Sequence, residues 1–482
     1  MNHSTLEKSA SHESLITKKH KSAHLYQMVW RWHFYAGLLF SPFLIVLAFS
    51  GAVYLFKPQI EAYLYQHLYQ VQEVGQQALP VSKQMEIIKE QYPNQTITAL
   101  TFYDDPSRTT EVMTMGNNQM TSIFMDPYRG VSNGTLQVDE KFTEIIKKLH
   151  SELIIGGTIA NRLVELAACW AVILLVTGLY LWWPRNKASI WGTILPRLHK
   201  KGKLFWRDLH AVPAFWLSIL ILMLILTGLP WSGVMGEGIN QLATSTKTGY
   251  PSYAFSFGEK PESIVKTKDV AKDVPWAAEN LPVPQSLHNQ YVPLSLEDVM
   301  WVAEQQNITK PYTISLPQGE KGVYTLTTAH TKPGQEATLH IDQYTGMVLS
   351  EVRYSDYGLL AKGITLGIAL HEGRLFGWAN QLIGLVACLG LIGIVVNSFI
   401  MWWKRKPEEK WGAPSKPKQA KITKMIFFLM VIMGLCMPLV GISLIVVFLF
   451  DRFVRCRRCA IENLEGEPGA REYAIYSDIK GR

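Results

Sequence analysis

Apolar residues in this chain come in long blocks, separated by two stretches in which apolar and polar residues alternate. Five blocks, 34–56, 163–183, 211–231, 379–403 and 425–450, approach or exceed the ~20 apolar residues that span a bilayer. Each predicts a transmembrane helix. Between the first two blocks the period changes: 81–92 reads as an amphipathic helix, and 96–103, 111–115 and 121–125 read as strands. The turn Asp126-Pro127-Tyr128-Arg129-Gly130 follows. Between the third and fourth blocks the pattern returns, with a helix over 295–306, strands over 312–316, 323–329 and 337–341, and the turn Asp342-Gln343-Tyr344-Thr345-Gly346. Each stretch is expected to fold as a small α+β domain, one helix on an antiparallel sheet of three or four strands.

Basic residues orient these elements. The N-terminal tail carries Lys18, Lys19, Lys21 and Arg31, and the 184–207 loop carries Arg185, Lys187, Arg197, Lys200, Lys201, Lys203 and Arg207. The 404–424 loop has eight lysines and arginines against two glutamates. The positive-inside rule puts the N-terminus and both short loops in the cytoplasm and the two alternating stretches outside, in a periplasm where there is one. The net charge of +8 therefore reflects topology and calls for no nucleic acid. Ala48-Phe49-Ser50 imitates a signal-peptide cleavage site, but the preceding basic stretch is too long and the apolar run exceeds an h-region, so the first helix is expected to remain. The five cysteines make no disulfide framework, and Cys456-Arg-Arg-Cys459 is a lone CxxC with no second pair or nearby histidine.

The chain also repeats. Trp30-Arg31-Trp32-His33 corresponds to Trp206-Arg207-Asp208-Leu209-His210, and Trp182-Trp183 corresponds to Trp402-Trp403. Each copy has an even number of spans, so the copies are parallel, related by an axis along the membrane normal. The expected fold is an α-helical integral membrane protein: a four-helix core from a tandem parallel repeat, one extra C-terminal helix, and two small α+β domains outside. The expected segments are a tail (1–24), a span (25–57), domain one (58–149), a span with an interfacial lead-in (150–185), a loop (186–204) and a third span (205–231). Domain two (232–362), a span with its lead-in (363–405), a loop (406–423), a fifth span (424–451) and a tail (452–482) follow.

Four histidines recur with the repeat. His33 and His210 each precede by 18 residues the glycine of a hydroxyl-glycine step, Ser50-Gly51 and Thr227-Gly228; His150 and His371 each follow a leucine and precede by six Gly156 and Gly377. Taken alone, such residues are either interfacial rings snorkelling toward headgroups or axial ligands on a flat macrocycle. Topology puts His33 and His210 on the cytoplasmic side and His150 and His371 outside. Cross-pairing would have to reach across most of a ~30 Å hydrocarbon core. A straight helix would lift His150 ~20 Å off the membrane, so Gly156-Gly157 and Gly373/Gly377 are expected to break the helices and lay the outer pair on the surface. Arg31, Arg207, Arg162 and Arg374 stand near these histidines as possible propionate partners, and Trp231, Tyr253, Phe376 and Trp378 as an aromatic lining. His199, His67, His288, His330 and His340 lack ligand spacing.

The Trp-Arg-x-His opening, the Leu-His stretches, the Trp-Trp exits and the paired Asp-x-Tyr-x-Gly turns resemble the PepSY-associated transmembrane family over about residues 25–405. The best-understood members of that family are inner-membrane ferric-siderophore reductases binding two haems. The resemblance implies PepSY-like external domains and two bis-histidine haems b, His33/His210 and His150/His371, with no catalytic group beyond these ligands. It also implies a ferric siderophore or other ferric chelate as substrate. No Gly-x-Gly-x-x-Gly or P-loop is present, so the expected donor is a quinol or a cytoplasmic reductase. The rival expectations are a transporter for iron chelates, with Glu165 and Asn397 as its intramembrane polar groups, and a binding or regulatory module without redox activity.

Overall fold

The computed structural model describes residues 3–184, 189–249, 265–286, 292–328, 332–406 and 424–465. It divides into two units, Met1–Met28 with Lys416–Arg482, and Val29–Ser415. Among the described residues, four helices are long and apolar enough to cross a membrane: Leu25–Tyr54, Gly157–Trp182, Lys203–Trp231 and Trp378–Arg405, the first to fourth spans. A helix satisfies its own backbone hydrogen bonds, the requirement for crossing lipid. Small residues let the spans approach closely: Ala36 of the first packs with Ala167 of the second, and Ala48 and Ala52 with Cys388 of the fourth. Leu44, Ala171 and Val395 join three spans at mid-depth, with Ile225 of the third packed against them. Large apolar side chains face outward, Ile219 being 77% exposed. The chain is a multi-pass membrane protein.

Among the described residues outside the bundle, eight strands form a single sheet. They are β1 (Thr96–Phe102), β2 (Thr110–Gly116), β3 (Gln119–Asp126), β4 (Val131–Gln137), β5 (Tyr312–Ser315), β6 (Val323–Thr327), β7 (Ala337–Asp342) and β8 (Val348–Arg353). Their order is β4-β3-β2-β1-β5-β6-β7-β8, every pair antiparallel. This corrects the expectation of two separate domains. β1 and β5 pair from Ala99↔Ser315 to Phe102↔Tyr312, so neither is left as an edge with unpaired backbone groups. The helices Val81–Gln91 and Leu296–Gln305 share one core over this joint sheet, with Ile88, Leu100, Val112, Val299, Ile314 and Leu339 all inside it.

The Asp-x-Tyr-x-Gly motif is a turn. Asp126 accepts hydrogen bonds from the backbone N–H groups of Tyr128 and Arg129, and Asp342 from those of Tyr344 and Thr345. Gly130 and Gly346 close the turns at φ +66° and +71°, a backbone region that favours glycine.

The fifth block also departs from expectation. Over 424–451 the chain does not make one crossing helix. Lys424–Cys436 and Pro438–Glu465 meet at a sharp turn that brings Gly434 against Gly441. Pro438 lacks the N–H that would continue the first helix, and the two glycines remove the side chains that would hold the arms apart.

Candidate functional site

The structure brings the four histidines together in two pairs. The rings of His33, on the first span, and His210, on the third, lie 6.4 Å apart between centroids at 81°. Those of His150 and His371 lie 6.1 Å apart at 67°. His150 lies in the last turn of the helix Phe142–Glu152, and His371 ends Leu359–His371. Beyond each the chain breaks, at Leu153, Ile154, Gly156 and Gly157 in one case and at Gly373 and Gly377 in the other, all with positive φ. The expected glycine breaks are present, with a different consequence. The outer histidines do not lie on the surface; they reach into the ends of the spans, His150 to Ser50 and His371 to Thr227. Ser50 is four residues from the end of its helix at Tyr54, so His150 sits about 6 Å inside it. Ser50 is also seventeen residues beyond His33, which separates the two pairs by about 25 Å along the bundle.

Hydrogen bonds fix the tautomer of all four rings. The Nδ1 of His33 is 2.9 Å from Thr177 Oγ1, that of His150 3.0 Å from Ser50 Oγ, and that of His371 3.1 Å from Thr227 Oγ1. Each hydroxyl already donates its proton within its own helix: Thr177 to Ile173 O, Ser50 to Val46 O and Thr227 to Met223 O. Only an acceptor lone pair remains for the imidazole. The Nδ1 of His210 lies 3.0 Å from the Ile394 carbonyl, which can only accept. Every Nδ1 therefore carries the proton, and every Nε2 keeps a free lone pair.

Ring spacing then limits what those lone pairs can hold. A metal–imidazole bond of about 2 Å, with the ring centre roughly 1.1 Å behind the nitrogen, puts two rings on opposite sides of one ion about 6.3 Å apart. Both pairs stand at that spacing. Among the described residues no group of three or more His, Cys, Asp or Glu gathers to hold a metal. An ion held by either pair has no third His, Cys, Asp or Glu ligand among the described residues. Glycine makes room beside three of the rings: a Cβ on Gly51, Gly178 or Gly228 would stand 3.3, 3.2 or 3.1 Å from the Cε1 of His150, His33 or His371. Thr177-Gly178 escaped the sequence reading because its counterpart in the second half is Asn397-Ser398. Asn397 instead donates to Leu209 O beside His210.

The arginines have partners of their own. Arg162 pairs with Glu165, Arg207 with Asp208, and Arg374 with Glu372 and Glu336, while Arg31 lies over the Tyr35 ring. Glu165, buried in the second span, accepts from the N–H groups of Val234 and Met235, both at 2.8 Å, and so caps the helix Val234–Ser245. Of the aromatic residues, Trp231 lies 6.4 Å from the His371 ring, Trp378 packs against Phe56, and Phe376 is exposed. Tyr253, His288 and His330 lie outside the described residues, as do the side chains of Cys456 and Cys459. His67 and His199 are exposed. His340 is buried in the sheet between Thr267 and Thr325.

Residues 30–405 match the family described as the PepSY-associated TM region. No curated protein matches the chain.

Proposed function

The chain belongs to the PepSY-associated transmembrane family, and on that premise we propose that it is an inner-membrane electron-transfer protein with two bis-histidine haems b that reduces a periplasmic ferric siderophore. His33 and His210 hold the haem on the cytoplasmic side, and His150 and His371 the one on the periplasmic side. The observation that carries this reading is the state of the four rings: two pairs at the spacing of shared ligands, every Nδ1 proton taken by an acceptor and every Nε2 free. A haem held by each histidine pair would supply one-electron transfer.

The chain's own residues position and tune. Ser50, Thr177, Thr227 and the Ile394 carbonyl fix each ring's orientation and raise the basicity of its Nε2. The apolar spans exclude water around both pairs. The two halves act as a tandem parallel repeat, its basic loops facing the cytoplasm, where a quinol or a cytoplasmic reductase delivers electrons. Trp231, Phe376 and Trp378 offer aromatic surface to a chelate at the outer pair. Reduction loosens the chelate, because Fe(II) holds hard oxygen donors less strongly than Fe(III) does. The transporter reading loses its main support, since Glu165 is engaged as a helix cap and Asn397 as a backbone clasp.

The test is a reduced-minus-oxidised absorption spectrum of protein purified from haem-supplied cells. A b-type signal at two haems per chain is expected, halved in both His33→Ala and His150→Ala. Absence of the signal would refute the reading, and a full signal in both variants would refute the ligand assignment.

A further inference from the structure

Arg405, half-buried at the cytoplasmic end of the fourth span, has no hydrogen-bond or ion-pair partner among the described residues, unlike Arg197 or Arg374. Its guanidinium lies over two aromatic rings, with Cζ 5.2 Å from the Trp30 centroid and 5.5 Å from that of Phe34. Its Nε is buried and bonded to nothing. Arg197, by contrast, grips Asp208 through two nitrogens. An arginine is always charged, and a buried donor on a cation without an acceptor is costly. An anionic acceptor at this position would remove that cost.

Position identifies it. Trp30, His33 and Phe34 share one face of the first span, at spacings of three and four residues. Arg405 thus lies against the face of the first span that carries His33. Helical side chains lean toward their own N-terminus, which directs this one back into the bundle and away from the cytoplasmic surface. We infer that Arg405 binds a propionate carboxylate of the haem held by His33 and His210, an inference that rests on the haem reading above. The planar guanidinium matches a carboxylate with two parallel hydrogen bonds. Trp30 and Phe34 hold its plane and keep water from competing. The other anion with that chemistry is a lipid phosphate.

Haem dimethyl ester, which lacks propionate charge, separates the two. Full-length apo-protein in detergent is titrated with haem and with the ester, using a His150→Ala chain to read the inner site alone and a His33→Ala chain to read the outer. With Arg405 intact, the inner site is expected to prefer haem over the ester by roughly 10–100-fold. Arg405→Gln abolishes that preference and lowers the inner haem's midpoint potential, Arg405→Lys keeps part of it, and the outer site responds to neither change. An Arg405→Gln protein that keeps the full preference overturns the inference, whether the guanidinium then binds lipid or nothing. If Arg405→Gln fails to fold, an Arg405→Lys protein indistinguishable from the parent overturns it equally. Failure of the parent chain to bind haem at all defeats the haem reading itself, a separate outcome.

Discussion

Replacing Thr227 by valine keeps the shape of the side chain and removes the hydroxyl oxygen 3.1 Å from the His371 Nδ1, leaving the Leu224 carbonyl as the remaining acceptor. Two outcomes are open to the ring, and both weaken the outer site. If the proton stays on Nδ1, the buried donor keeps only the Leu224 carbonyl, at a cost of up to about 1–3 kcal/mol. If it moves to Nε2, the penalty is relieved and the lone pair facing the ligand position is lost. With about 1.4 kcal/mol per tenfold, haem should bind the outer site roughly 10–100-fold more weakly, the range usual for losing such a supporting partner. The helix itself is spared, because the hydroxyl bonds to Met223 O lie outside its backbone ladder. The assay is haem transfer to an apo-globin scavenger, followed in His33→Ala chains, where only the outer site is filled. Thr227→Ser restores an acceptor and should restore retention. A Thr227→Val protein that loses haem no faster than its parent, at an unchanged midpoint potential, would show that the hydroxyl does not set the ring's tautomer.

Other consequences follow from the same contacts. Gly228→Ala places a Cβ 3.1 Å from His371 Cε1, which should displace the ring by a few tenths of an ångström and alter the α-band of the outer haem; an unchanged low-temperature spectrum would count against close packing there. Glu165→Gln removes the charge from the cap of Val234–Ser245 and should cost about 1–2 kcal/mol in denaturant unfolding, with a loss under a few tenths contradicting the capping role. Burial in the sheet pushes His340 down to about 4, below its ordinary 6.5. The unfolded chain then takes up the proton first, so the stabilisation is complete above pH 6.5 and is lost as the pH falls toward 4, by about 3 kcal/mol. That slope should vanish in a stably folded His340→Asn, and a parent protein equally stable at pH 7 and pH 4.5 would refute the assignment.

Length and apolarity are properties of one segment, so the four spans could be read from the chain directly, as could six of the eight strands. Pairing between distant segments could not. β1 alternates in the same way whether it forms an edge or the centre of a sheet, and nothing local to Thr96–Phe102 announces a partner at Tyr312–Ser315. Pro438 inside the fifth block permits a kink as readily as a reversal. Only the meeting of Gly434 with Gly441 decides between them.

The histidines show the same limit in finer detail. Spacing along a helix linked Ser50-Gly51 with His33 and Thr227-Gly228 with His210, since each step follows its histidine by a fixed count. Those counts measure the thickness of the bundle. Each hydroxyl serves the histidine at the opposite end of the bundle, His150 or His371, on a separate segment. A repeat search also fails where the halves differ, at Thr177-Gly178 against Asn397-Ser398. There His210 donates to the Ile394 carbonyl, a partner that no side-chain substitution removes. Three of the four rings can therefore be weakened in their hold by changing one hydroxyl. Any difference in behaviour between the two ends of the bundle should trace first to the fourth.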